Sequence, residues 1–353
     1  MPVYKDKKTN KYYTKINYKD WQGKSHQKMK RGFDRAADAK KYERDFLNSL
    51  STSCSISFKN LCEHYLNDNK VSLKPTTYST NRNIITKHII PFFGDMPVNE
   101  ITPLMVRKWQ TDLLNEGNLS QTYLYSVNSK LSAVFNYAVR FYNLLYNPVK
   151  KAGPIGSSRA PTHNWWTLDE FKKFIAVFTD EEDESFRVAF ITLFYTGLRE
   201  GELLALTPID IDFENGTLKI DKNYVQVDGK KIIQTPKTSK SNRVISIPNF
   251  LCELLEQYIK RLYDPQQRIF FNLNKFSLRR KMITMAKKAG VKSIRIHDLR
   301  HSHASLLAEL GIPPKVAQER LGHEDIKTTL QIYAHVYPEK NREVADKLDT
   351  LKP

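Results

Sequence analysis

The sequence predicts a multidomain chain, mainly α with small antiparallel sheets. Three observations carry that prediction. The length of 353 residues exceeds one average domain. Helical periodicity dominates residues 55–148 and returns after 165. Period-two stretches with glycine turns occur only in the first fifty residues and between 209 and 247. The order is a small β-sheet-plus-helix N-terminal domain (1–50), a helical domain (55–148), a linker (149–164) and an α-rich domain with a small β-sheet (165–353).

Residues 1–50 hold 14 Lys and Arg against 6 Asp and Glu. Tyr12, Tyr13, Ile16, Tyr18 and Trp21 interleave with the lysines, giving short strands that turn near Gln22-Gly23. A helix follows from Asp34 to Leu50, with Ala36, Ala37, Tyr42 and Phe46 as its apolar side. Ser51 to Ser55 is a polar hinge. Beyond it, Phe58, Leu61, Cys62, Tyr65 and Leu66 form an amphipathic stripe. Ile84, Ile85, His88 and Ile89 mark a second helix that stops before Pro91. Thr102 caps a third, with Pro103 at its first position and Met105, Trp109 and Leu113 on one side. Ser120 caps a fourth, running through Val127, Leu131, Val134, Phe135 and Ala138. The stretch from Asn147 to Pro161 is rich in proline, glycine and serine and reads as linker.

Thr167-Leu168-Asp169-Glu170 is a capping box that opens the last domain. Phe171, Phe174, Ile175 and Phe178 line its inner side. Residues 185–206 are mostly helical and break at Gly197. Hairpins follow around Asn215-Gly216 and Asp228-Gly229, then a strand at Val244–Ile247. Later helices start near Asn249, Ser277, His297, Pro314 and Asp325.

Composition bounds the function. Hydrophobic residues are 40% and aromatics 11%, which excludes a disordered chain. Lys and Arg number 56 against 38 Asp and Glu, a net charge of +18. That surplus favours a polyanion partner through counterion release from phosphates. The alternative for the basic surface is plain solubility. Cys54, Cys62 and Cys252 form no CxxC pair, which predicts reduced thiols in a cytoplasm. The start of the chain lacks an apolar signal core, and the greasiest run, Val188 to Leu198, is far short of a bilayer span. A soluble, cytoplasmic protein with no membrane partner is expected.

Six residues of distinctive chemistry lie in order along the second half: Arg199, Lys237, His297, Arg300, His323 and Tyr333. Two planar guanidinium forks suit the nonbridging oxygens of a phosphate. A lysine and two histidines can move protons or share negative charge. A tyrosine supplies a hydroxyl nucleophile, which must lose its proton during attack because a phenol has a pKa of about 10. Such a set breaks a phosphodiester without a metal or a nucleotide, so no cofactor is expected. Gly23-Lys24-Ser25 mimics the end of a phosphate-binding loop, but Tyr18 stands where its first glycine belongs. The histidines 297, 301, 303, 323 and 335 lack a cysteine or acidic partner at zinc spacing, so no metal is expected either.

The ordered motifs TGLREGELLAL (196–206), PKTSKSNR (236–243), HDLRH (297–301), LGH (321–323) and TTLQIYAHV (328–336) resemble those of the tyrosine recombinases, the phage-type site-specific integrases. The resemblance covers the chain from about residue 165 onward. Residues 55–148 are similar to that family's helical core-binding (SAM-like) domain, and the basic start resembles its arm-type DNA-binding domain. The resemblance implies Arg199, Lys237, His297, Arg300 and His323 around the scissile phosphate, Tyr333 as nucleophile and Glu202 as a supporting acid. Lys240, in the same loop as Lys237, and Tyr337, one turn beyond Tyr333, remain alternatives. It further implies a 3′-phosphotyrosine intermediate that integrates or excises a mobile element such as a prophage. The implied partners are double-stranded DNA at core and arm attachment sites, a homotetramer on DNA, and an excisionase and a host DNA-bending protein as accessory factors. Two other readings stay open: a type IB-like topoisomerase with the same chemistry, and a non-catalytic DNA-binding regulator. The tail from Val336 onward docks either on its own domain or on a neighbour.

Overall fold

The computed structural model describes residues 3–6, 9, 11–19, 25–51, 56–158, 164–235, 241–262, 266–334, 346 and 348–351. The turn at Gln22-Gly23, hinge residues 52–55, Lys237, Lys240 and Tyr337 lie outside the described residues, as does nearly all of the tail. Two compact units form, residues 1–160 and 161–353.

The first unit begins with strands β1 (Tyr4–Lys5), β2 (Tyr12–Lys19) and β3 (Ser25–Phe33), antiparallel in that order. Helix α1 (Ala36–Ser51) packs on β2. Side chains alternate across β2, so Thr14 and Ile16 are buried while Lys15 is exposed. The buried positions on α1 are Ala39 and Glu43, and Ala37 points to solvent, which corrects the apolar side read from sequence. Tyr18 and Phe46 do meet, edge to face at 5.5 Å between centroids.

Helices α2 (Phe58–Ser72), α3 (Pro75–Ile84), α4 (Ile90–Phe93), α5 (Pro103–Asn115), α6 (Gln121–Phe141) and α7 (Pro148–Ala152) complete this unit. Ser57, Thr102 and Ser120 each accept a backbone N–H three residues on, the caps that start α2, α5 and α6. Phe58 sits at the centre, 5.7 Å from Phe93 and 5.1 Å from Phe135. Pro91 does not stop the second helix. A π-helical turn at Ile85–Ile89 widens the spiral, and Pro91 enters at the start of α4, where its missing N–H is no loss. The first half of the expected linker is also structured. Val149 and Ile155 join the helical core, and Ser157 N–H donates to Gln121 O at 3.1 Å.

The second unit opens with α8 (Leu168–Ala176), α9 (Glu184–Thr196) and the short α10 (Glu200–Leu203). Strands β4 (Ile211–Asp212), β5 (Thr217–Ile220) and β8 (Arg243–Ser246) make one antiparallel sheet, and β6 (Asn223–Val227) pairs with β7 (Lys230–Gln234) in a hairpin. Helices α11 (Asn249–Ile259), α12 (Lys275–Lys288), α13 (Asp298–Glu309), α14 (Pro314–Leu321) and α15 (Ile326–Tyr333) follow. Thr167 and Glu170 exchange both bonds of the capping box. Phe171 stacks on Phe194 at 3.8 Å, binding α8 to α9. Each such buried phenylalanine contributes roughly 1.5–3 kcal/mol of transfer free energy. Trp166 N–H donates to Ser302 Oγ at 2.9 Å and its indole N–H to Lys292 O at 2.8 Å, which fixes α13 against the start of the unit. Helix α13 is buried along nearly its whole length, and the chemistry-bearing side chains gather around its first turns.

Candidate active site

Helix α9 ends at Gly197, whose φ of +65° is left-handed. Only glycine fits there. A Cβ would come within 2.7 Å of both His303 Cδ2 and Leu321 Cδ2. The chain reverses through Leu198 and presents Arg199 at the start of α10. Gly201 then lets α10 approach β6, since a Cβ there would lie 2.1 Å from Asn223 Oδ1.

Glu202 is the buried counter-charge of this corner, only 2% exposed. Arg199 Nη1 donates to its Oε1 at 2.7 Å, and the Arg199 backbone N–H to its Oε2 at 3.0 Å. From β8, Arg243 Nη2 donates to Oε2 at 3.1 Å. Burial alone would raise the carboxyl's pKa, but Arg243 and Arg199 outweigh it and hold Glu202 below the ordinary glutamate range. The sequence read Glu202 as a support, and its contacts go to arginines. The sequence places Arg243 and Ser241 in the loop that carries Lys237 but gives neither a role. Arg243 is the last residue of the PKTSKSNR motif, and Ser241 Oγ accepts from Arg199 Nη1 at 3.3 Å.

Arg300, from the first turn of α13, is 1% exposed. Its guanidinium donates to Gly197 O at 2.8 Å and to Leu321 O. Both acceptors are neutral carbonyls, so among the described residues the charge is buried without a bonded carboxylate. Burial first, then the nearby Arg199, lowers its proton affinity well below the usual arginine range. Arg199 and Arg300 thus form a cationic pair with a standing electrostatic demand for an anion.

His297 stands at the position before α13 without a capping side-chain bond and is open to solvent on one side. Protein crowding on its other sides, then Arg300 and Arg199, lower its pKa to about 4. His323, just past the end of α14, is 8% exposed, and its Nδ1 shares a 2.9 Å hydrogen bond with Thr329 Oγ1 on α15. Burial, then Arg300 and Arg199, lower its pKa to about 3. Both rings are therefore neutral near pH 7, and an anion beside the arginines would raise both pKa values.

Arg199, His297, Arg300, His323 and Glu202 come together. Tyr333 does not join them. It is fully buried beside Ala308 and Ala317, and its hydroxyl donates to Ile312 O at 3.1 Å. Ala308 lies eight residues beyond Arg300, about 12 Å along α13 at 1.5 Å per residue. Lys237 falls outside the described residues. A cavity of about 660 Å³ opens beside His297, lined by Glu200, Lys275, Arg279 and Arg295 among others. Among the described residues, no group of three or more His, Cys, Asp or Glu side chains is arranged to hold a metal, and no helix is long and apolar enough to cross a membrane.

Two forked cations, two neutral imidazoles and a buried carboxylate behind them gather on a mainly helical frame, a set whose chemistry suits an anion such as a phosphate. Comparison with known proteins agrees. Residues 164–340 match the phage integrase family, residues 57–114 its N-terminal SAM-like domain, and residues 2–50 an arm DNA-binding domain. The ICEBs1 integrase of Bacillus subtilis is 33% identical over 317 residues, spanning 85% of this chain and 84% of that one. A XerC-like tyrosine recombinase of Caldanaerobacter subterraneus is 28% identical over 361 residues, 89% of each chain. The fold is shared with the Tn1549 transposon integrase in complex with a circular intermediate DNA (TM-score 0.69, 20% identity, 83% of this chain and 100% of that one). It is also shared with a lambda integrase tetramer bound to a Holliday junction (TM-score 0.62, 20% identity, 94% of each chain). The chain belongs to the phage integrase family, the tyrosine-type site-specific recombinases.

Proposed function

We propose that this chain cuts and rejoins DNA at attachment sites through a 3′-phosphotyrosine, and so integrates or excises a mobile element. The observation that carries the reading is the Arg199–Arg300 pair, Arg300 buried against backbone carbonyls and Arg199 half-buried against Glu202 and the Gly322 carbonyl, with two neutral histidines beside it. Attack on phosphorus in line with the leaving oxygen builds negative charge on the nonbridging oxygens, which the two guanidiniums neutralise. His297, neutral and open to solvent, takes the tyrosine proton. His323 donates a hydrogen bond to a phosphate oxygen. Lys237 protonates the leaving 5′-oxygen. The ester formed on Tyr333 conserves the phosphodiester's energy, so a second 5′-hydroxyl reverses the step on a new partner strand without ATP.

The seat of Tyr333 adds a requirement. Its hydroxyl must leave Ile312 O and travel from the Ala308 level to the arginines, so α15 re-docks when DNA is engaged. The reading assigns arm-site binding to residues 1–50, core-site binding to 55–148 and cleavage to 165–353. A homotetramer on two duplexes, an excisionase and a host DNA-bending protein complete it. A covalent-trapping assay tests the core of the proposal. On a nicked duplex carrying the crossover site, the native chain forms a protein–DNA adduct and Tyr333→Phe forms none; an adduct with Tyr333→Phe refutes the nucleophile. Supplied with two attachment duplexes, the chain yields joined products, whereas relaxation of supercoils without them would identify a topoisomerase.

A further inference from the structure

Helix α14 ends in three consecutive carbonyls, and each is taken by a different arginine. Arg243 Nε donates to Arg320 O at 2.8 Å, Arg300 Nη2 to Leu321 O, and Arg199 Nη2 to Gly322 O at 3.2 Å. Carbonyls at a helix C-terminus lack intrahelical partners and carry the negative end of its dipole. The end of α14 is thus the bench on which the cationic pair is laid out.

What fixes the bench is the side chain of Arg320. Its Nε donates to His303 Nε2 at 3.1 Å, its Nη1 to Ser246 O at 2.8 Å and its Nη2 to Tyr195 O at 3.2 Å. One guanidinium therefore joins α14 to α13, β8 and α9. His303 is 3% exposed and must keep Nε2 unprotonated to accept this bond. The same ring presses on the turn before Arg199, with Cδ2 2.7 Å from where a Gly197 Cβ would be. Neither residue has a part in the chemistry above. Two apolar side chains of similar volume would fill this space at no desolvation cost, so packing alone does not account for a buried histidine–arginine contact.

We propose that Arg320 and His303 are positioning residues for strand cleavage, holding the C-terminus of α14 so that its carbonyls set the spacing of Arg199 and Arg300. The inference rests on the reading that those two arginines grip the scissile phosphate. Released from Arg320, the end of α14 shifts, and both guanidiniums move with their acceptors. A displacement near 1 Å in groups that meet the transition state costs about 100-fold in rate.

The test uses the full-length chain and a nicked duplex bearing the crossover sequence, recovered by selecting a randomised duplex pool on the native protein. Adduct formation is measured in single turnover at saturating protein, with DNA affinity and melting temperature measured separately. Arg320→Met and His303→Leu are expected to slow adduct formation about 100-fold while DNA affinity holds. His303→Gln, which keeps an acceptor in a similar place, is expected to recover most of the rate. Should His303→Leu fail to fold, Arg320→Lys decides: it keeps the charge but not the three-way fork, and slow cleavage by a folded, DNA-binding protein supports the proposal. Native rates in folded Arg320→Met and Arg320→Lys would overturn it, as would a His303→Gln no faster than His303→Leu. Full cleavage by Arg300→Lys on the same duplex would instead overturn the phosphate-gripping role beneath it.

Discussion

Replacing Glu202 by Gln isolates the electrostatics of the site, because the shape is kept and the charge is lost. The native carboxylate takes four donations: Arg199 Nη1 at 2.7 Å, Arg199 N–H at 3.0 Å, and Arg243 Nη2 and Nη1 at 3.1 and 3.4 Å. A glutamine offers one carbonyl oxygen and turns an amide N–H₂ toward a guanidinium. Removing one partner of a buried ion pair costs about 3–5 kcal/mol. The Arg243 side chain is only 6% exposed, but the Arg199 side chain is 36% exposed and regains water, so the lower end, about 3 kcal/mol, applies. The penalty carries a pH signature. Glu202 has a folded pKa below its ordinary 4.5, so its stabilisation is present above that value and is lost as pH falls through the folded pKa. Native and variant proteins therefore converge in acid. Urea-dependent hydrogen exchange on peptides covering 198–206 and 243–247 reads this unit apart from the other. A penalty under about 0.5 kcal/mol near pH 7, or one that does not shrink below the ordinary glutamate pKa, would refute the reasoning.

Other outcomes follow from the same structure. Tyr333→Phe loses the bond to Ile312 O, so stability falls by about 1 kcal/mol in thermal melts while the covalent adduct disappears. Gly197→Ala combines a left-handed φ with two 2.7 Å clashes and is expected to cost about 3 kcal/mol, read in the same exchange experiment. His297, His303 and His323 have pKa values lowered to about 4, 3 and 3 from 6.5, so the folded unit binds fewer protons than the unfolded chain. Stability is full above 6.5 and declines as pH falls toward 4. A melting temperature that stays flat from about pH 7.5 to 5 would contradict that assignment. Binding of arm-type duplex through residues 1–50 is expected to weaken steeply with salt, and a flat salt response in a titration would remove DNA contact from that segment.

Much of the architecture was legible because it is written locally. The caps at Thr102, Ser120 and Thr167, the glycine turns at 216 and 229, and the apolar stripe from Phe58 to Leu66 act within a few residues, so a window of sequence contains their cause. The errors share one physical origin. Pro91 reads as a stop until a π turn sets it at the start of α4, where its missing N–H is no loss, and Val149 and Ile155 read as linker until α5 and α6 supply a surface to cover. Ala37 and Ala39 are indistinguishable in propensity, and only the position of the sheet decides which is buried.

The site divides in the same way. Residue type and order along the chain were enough to nominate Arg199, His297, Arg300 and His323, since forked cations and imidazoles announce their chemistry. Only tertiary structure could reveal what holds them: three carbonyls at the end of α14, the Arg320–His303 tie and the Arg243–Glu202 pair join positions far apart in sequence. Nor could the sequence say that Tyr333 rests at Ile312, away from the arginines that the proposed attack requires it to reach. Backbone carbonyls are identical at every residue and a helix's docking site depends on what surrounds it, so neither leaves a mark in composition or spacing.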